Sequence, residues 1–134
     1  MDDERESRES LLSHDRARRN KKEFILYLPV FNDTYQLTLK VFELTQHFSR
    51  EYKFTLGQDM KRDCITLVRS IYRANKTKEK MPYLEQFFDE FEVLKLEIRL
   101  CKDLHLITIK QQAQLALAME KIGKQITGWR NASR

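Results

Sequence analysis

The sequence predicts an all-α fold, an up-down-up-down four-helix bundle, on three observations. Glycine and proline together supply only five of 134 residues, too little turn chemistry for the many hairpins of a β fold. Four segments of about 18–22 residues carry apolar side chains at alternating spacings of three and four, the period of a helix with one buried stripe. The connections between them are short, which makes sequential helices antiparallel neighbours.

Residues 1–22 precede the first of these segments and hold seven basic and six acidic side chains, with Leu11 and Leu12 the only large apolar residues. Such a segment cannot offset the entropy of ordering, so a disordered charged tail is expected there, with the bundle over residues 23–134. The first helix is expected from Pro29, tolerated in a first turn whose N–H groups lack partners anyway, to about Phe48. Val30, Thr34, Leu37, Val41, Leu44 and Phe48 form its stripe, and Phe31, Tyr35, Leu39 and Phe42 make a second apolar set beside it.

Thr55-Leu-Gly-Gln58 has the letters of a capping box and is expected to open the second helix. Its core stripe is Met60, Cys64, Leu67, Val68 and Ile71, with Arg62, Thr66, Arg69 and Arg73 on the opposite side at 100° per residue. Tyr52 and Phe54, just before the box, fit either a hydrophobic staple or an exposed aromatic contact. A lysine-rich connection over 73–81 follows. Pro82 then opens the third helix, where Leu84, Phe87, Phe91, Leu94, Ile98 and Cys101 repeat at the seam spacing of packed helices. Its second stripe, Val93, Leu96 and Leu100, lies roughly 120–160° from the first. Burying the first stripe leaves the second facing water, so these three residues are expected to form an interface with a like subunit. Thr108-Ile-Lys-Gln111 is a second capping box and opens the fourth helix, whose stripe is Leu115, Met119, Ile122, Ile126 and Trp129. Its register places Trp129 in the core rather than in a base-stacking role.

The chemistry in these positions is sparse. His14, His47 and His105 are scattered, and no nucleophile, base and orienting group can be assembled from the sequence. Glu85, Asp89 and Glu92 share a helical face, yet no glutamate has a histidine three residues on, as di-metal bundles require. The reading is therefore a non-enzyme with no catalytic residue, no metal ligand and no cofactor. Cys64 and Cys101 fall in apolar patterns and are expected to be buried thiols of a reducing compartment. The early sequence lacks the plan of a signal peptide, and no segment is long and apolar enough to span a bilayer, so a cytoplasmic protein with no membrane partner is expected.

The formal net charge of +5 is modest, but it is unevenly distributed. Residues 56–81 carry seven basic and three acidic groups, whereas residues 82–103 carry three and six. Arg62, Arg69 and Arg73 run along the second helix, and Lys95, Arg99 and Lys102 line one flank of the third at i, i+4 and i+7. Arginine suits planar, bidentate phosphate contact, and the six residues are candidates for binding nucleic acid or an acidic protein surface. By itself, so low a total charge describes a solvated basic face more readily than a nucleic-acid binder.

Words of the sequence add to its periods. Leu28-Pro-Val-Phe-Asn-Asp-Thr-Tyr35, Phe48-Ser-Arg-Glu-Tyr-Lys-Phe-Thr-Leu-Gly57, Ile71-Tyr-Arg-Ala-Asn75, Ile98-Arg-Leu-Cys-Lys-Asp-Leu104 and Gly123-Lys-Gln-Ile-Thr-Gly-Trp129 occur in this order. Over residues 28–130 the chain resembles the Avd family, the accessory variability proteins of diversity-generating retroelements. The resemblance implies a four-helix bundle assembled as a homopentameric barrel with a basic surface. It further implies association with a reverse transcriptase and its template RNA, in support of mutagenic retrohoming, with no catalytic site. The same superfamily includes bundles encoded by intervening sequences of ribosomal RNA genes, and a structural or interaction role of that kind is the alternative reading. The charged residues 1–22 are not part of the family pattern.

Overall fold

A computed structural model of the protein describes residues 28–134. The expected disordered tail over residues 1–22 lies outside the described residues. Within them the chain forms α1 (Pro29–Gln46), a short α2 (Arg50–Lys53), α3 (Leu56–Lys76), α4 (Met81–Asp103) and α5 (Ile109–Ala132). The four long helices are the four of the sequence reading. Contacts link α1 with α3, α3 with α4, α4 with α5, and α5 back to α1, which closes the up-down-up-down bundle.

The expected stripes meet at its centre. Leu37 and Val41 of α1, Met60, Leu67 and Ile71 of α3, Leu84, Phe87, Phe91 and Leu94 of α4, and Leu115, Ile122 and Ile126 of α5 are buried. Phe87 and Phe91 stack at 5.4 Å between ring centroids, within the favourable range for aromatic pairs. Thr34 is fully buried in the same stripe, and its hydroxyl donates to the Val30 carbonyl at 2.7 Å, which satisfies that hydroxyl. Cys64 and Cys101 are free buried thiols. Burial pushes both up to about 12, beyond the range in which a thiolate nucleophile forms near neutrality.

Some details depart from the sequence reading: α1 stops at Gln46 rather than about Phe48, and α3 continues to Lys76 through part of the connection expected over 73–81. The Thr55 capping box does not form: no side chain caps α3, and the Thr55 hydroxyl instead donates to the Glu51 carbonyl at 2.8 Å. The cause is α2, a turn of helix just upstream that offers the hydroxyl a carbonyl of its own. Val68 is half-buried, and Ser70 and Ala74 take interior positions of α3 instead. Trp129 is also half-buried and packs on the rim of the core rather than inside it. The Tyr52 and Phe54 pair divides, with Tyr52 packed against the core and Phe54 exposed.

The Thr108 box forms as expected, with the Gln111 N–H donating to the Thr108 hydroxyl and the Thr108 N–H to the Gln111 side chain. Ahead of it, α4 ends in a Schellman motif. The Leu106 N–H donates to the Cys101 carbonyl at 2.8 Å and the His105 N–H to the Lys102 carbonyl at 3.0 Å. The motif requires a left-handed residue, and His105 occupies it with φ of 60°. Since that region disfavours residues with a Cβ, His105→Gly is expected to raise stability by about 1 kcal/mol in urea unfolding, and a decrease would contradict this account of the turn.

Candidate functional site

The outer surface of the bundle presents an apolar ridge between two basic strips. Val93, Leu96 and Leu100 project from α4 with exposures of 49%, 59% and 43%. They are uncovered because the core stripe of α4 lies on the other side of the helix, and large apolar side chains grouped at helical spacing are the usual mark of a contact surface. Tyr35, Leu39 and Phe42 form a second exposed apolar set on α1, where the Lys61 ammonium lies 5.6 Å from the Phe42 ring.

The six candidate basic residues fall into two groups. Arg62, Arg69 and Arg73 are exposed along the outer face of α3. Lys95 and Arg99 turn to the other flank of α4 and line a groove toward α5 with Gln112, Ala116 and Glu120; Lys102 is exposed one turn on. The ridge therefore separates the strips within one chain, and they do not form a single continuous surface there. Several of these charges are answered locally. Arg62 pairs with Asp59 at 3.1 Å, Lys95 with Glu92 at 3.0 Å, and Arg99 approaches Asp103 at 4.0 Å. All three pairs are exposed, and such pairs add little stability. Among the described residues, Arg69, Arg73 and Lys102 have no carboxylate within 4 Å.

One charged residue escaped the sequence reading. Glu97 lies between Val93 and Leu100 on the side of α4 that faces α3, and it is only 6% exposed. Burial is the main force pushing its carboxyl up, to about 9. A hydrogen bond with Asp63 and the negative charges of Asp63 and Asp59 act in the same direction, and Arg62 opposes them. Near neutrality the raised value keeps a proton on Glu97. Among the described residues its Oε1 has no hydrogen-bond partner. Glu90, one heptad upstream, is shifted up as well, mostly by burial. The available signal was the seven-residue spacing of Glu90 and Glu97 beside the α4 core stripe. The residues opposite them became apparent only once α3 was packed in place.

Among the described residues no group of three His, Cys, Asp or Glu side chains is placed to hold a metal ion. Glu85, Asp89 and Glu92 are exposed on α4. No described helix is long and apolar enough to cross a membrane.

The described chain is thus an antiparallel four-helix bundle whose exposed apolar ridge on α4 lies between two basic strips. The bAvd-like family profile matches residues 30–133, and the chain belongs to that family. Comparison with curated proteins gives no match.

Proposed function

We propose that the protein is the accessory subunit of a diversity-generating retroelement, a cytoplasmic, non-enzymatic scaffold that binds the reverse transcriptase and its template RNA. Membership of the bAvd-like family over residues 30–133 is the observation that carries this reading. The surface supports it in two ways. The ridge of Val93, Leu96 and Leu100 calls for cover, and a like subunit in a closed ring, a homopentamer in this reading, supplies it. Assembly also offers a way to bring the two basic strips of neighbouring chains alongside one another. Arg62, Arg69, Arg73, Lys95, Arg99 and Lys102 then attract phosphates or acidic polymerase surface by charge, without reading bases.

The test is charge reversal at the two arginines without a nearby carboxylate among the described residues. Arg69→Glu with Arg73→Glu is expected to abolish association with labelled template RNA or polymerase and leave the oligomer intact. Binding by the parent protein is expected to weaken steeply between about 50 and about 200 mM salt, as it does when several phosphates are neutralised. Undiminished binding by the variant, or parent binding indifferent to salt, would overturn the electrostatic mechanism.

A further inference from the structure

At one end of the bundle a groove of about 470 Å³ opens between the start of α1, the α3–α4 connection and the last turns of α5. Leu28, Pro29, Val30 and Trp129 supply its apolar walls. Of its three polar residues, Asn75, Lys80 and Gln125, two are held by bonds within the fold. The Lys80 ammonium donates to the Ala74 and Thr77 carbonyls at 2.8 Å each, closing the end of α3, and the Gln125 amide donates to Asp33 at 2.8 Å. With Lys80 and Gln125 engaged within the fold and four of the seven lining residues apolar, the groove suits a mainly apolar occupant rather than a charged or strongly polar ligand.

The geometry of Leu28 indicates which occupant. A residue before proline is held extended, and Leu28 has φ of −66° and ψ of 126°. The chain arriving at Leu28 cannot continue α1 backwards, so it leaves the helix at the rim of the groove that Leu28 itself lines. Directly upstream is Phe24-Ile-Leu-Tyr27, the longest apolar run in the first 28 residues. Four extended residues reach up to about 14 Å, and a segment joined without a linker has a very high effective concentration at its site. Side chains alternate along an extended chain, so a segment docked in that form would set Leu26 and Phe24 on the side of Leu28, with Ile25 and Tyr27 on the other.

We propose that this groove is the seat of the chain's own segment 24–27, with Leu26 and Phe24 packed against Trp129. Docking there delivers the charged residues before position 24 to the α5 end of the bundle, independently of any assembly or nucleic-acid partner.

Trp129 is the only tryptophan of the chain and lies in the groove wall, so it reports occupancy directly. Its emission and acrylamide quenching are to be measured in the full-length protein, with circular dichroism to monitor the helices. Phe24→Ser with Leu26→Ser is expected to move the emission to longer wavelength and roughly double the quenching constant, as when an apolar cover is removed from the ring. Ile25→Ser with Tyr27→Ser is expected to change neither. If the first double variant loses helicity, Leu26→Ala alone is expected to show the same direction of change. Unchanged quenching in the Phe24 and Leu26 variants would overturn the proposal, as would equal effects from both pairs. Parent quenching that falls as protein concentration rises would also overturn it, by identifying a second copy as the occupant.

Discussion

Replacing Glu97 with glutamine is expected to stabilise the folded chain by about 3 kcal/mol at pH 7 and to flatten its loss of stability with rising pH. The ordinary carboxyl value of 4.5 applies to the unfolded chain, and burial beside Asp63 raises the folded value to about 9. Between those values the folded chain keeps a proton that the unfolded chain has released. The contribution of this group to stability is therefore greatest below 4.5 and falls by up to about 1.4 kcal/mol for each pH unit across the window. Glutamine mimics the protonated acid, since its amide donates to Asp63 without carrying a charge. Parent and variant should match in urea unfolding at pH 4 and diverge by pH 8. A difference that does not change with pH would show that the carboxyl pair is not what titrates.

Phe91→Ala is expected to cost about 3–5 kcal/mol, the usual penalty for truncating a buried aromatic when its surroundings cannot collapse. Phe91 is 1% exposed and stacks on Phe87. Gly123 of α5 lies against its ring, where an added Cβ would sit in van der Waals contact at 3.5 Å from the ring edge. The spacing of α4 and α5 thus depends on this one side chain, and a small domain with a total stability of about 5–15 kcal/mol has little reserve. Urea denaturation should show a midpoint displaced to much lower concentration. A loss below about 1 kcal/mol would mean that the helices close the gap, contrary to the packing described.

Helix positions and core stripes were readable from the chain because they depend on local periodicity. The α1 stripe from Val30 to Leu44, with Phe48 just beyond the helix end, and the α4 stripe from Leu84 to Cys101 are both buried as their spacing predicts. The ridge of Val93, Leu96 and Leu100 was readable for the same reason, since exposure of one helical face follows from burial of the other. What was not readable depends on neighbours. Thr55 and Thr108 head the same four-letter pattern, yet only Thr108 caps, because α2 places a carbonyl within reach of Thr55. Glu97 looks like a surface charge until α3 brings Asp63 against it. Likewise, the sequence puts Lys95 and Arg99 on one flank of a helix without saying that the flank turns toward α5, away from Arg69 and Arg73.

That separation bears on the proposed scaffold. Within a chain, the strips on α3 and α4 lie on opposite sides of the ridge, so a shared basic surface depends on contact between chains. Assembly and nucleic-acid binding should accordingly be linked. The most direct measurement is solution mass by light scattering, alone and with the cognate reverse transcriptase and labelled template RNA. The account predicts a mass about five times the 16.2 kDa chain, as a closed ring of like subunits requires, increasing when polymerase and RNA are added. A monomer whose mass responds to neither would contradict both the assembly and the proposed function.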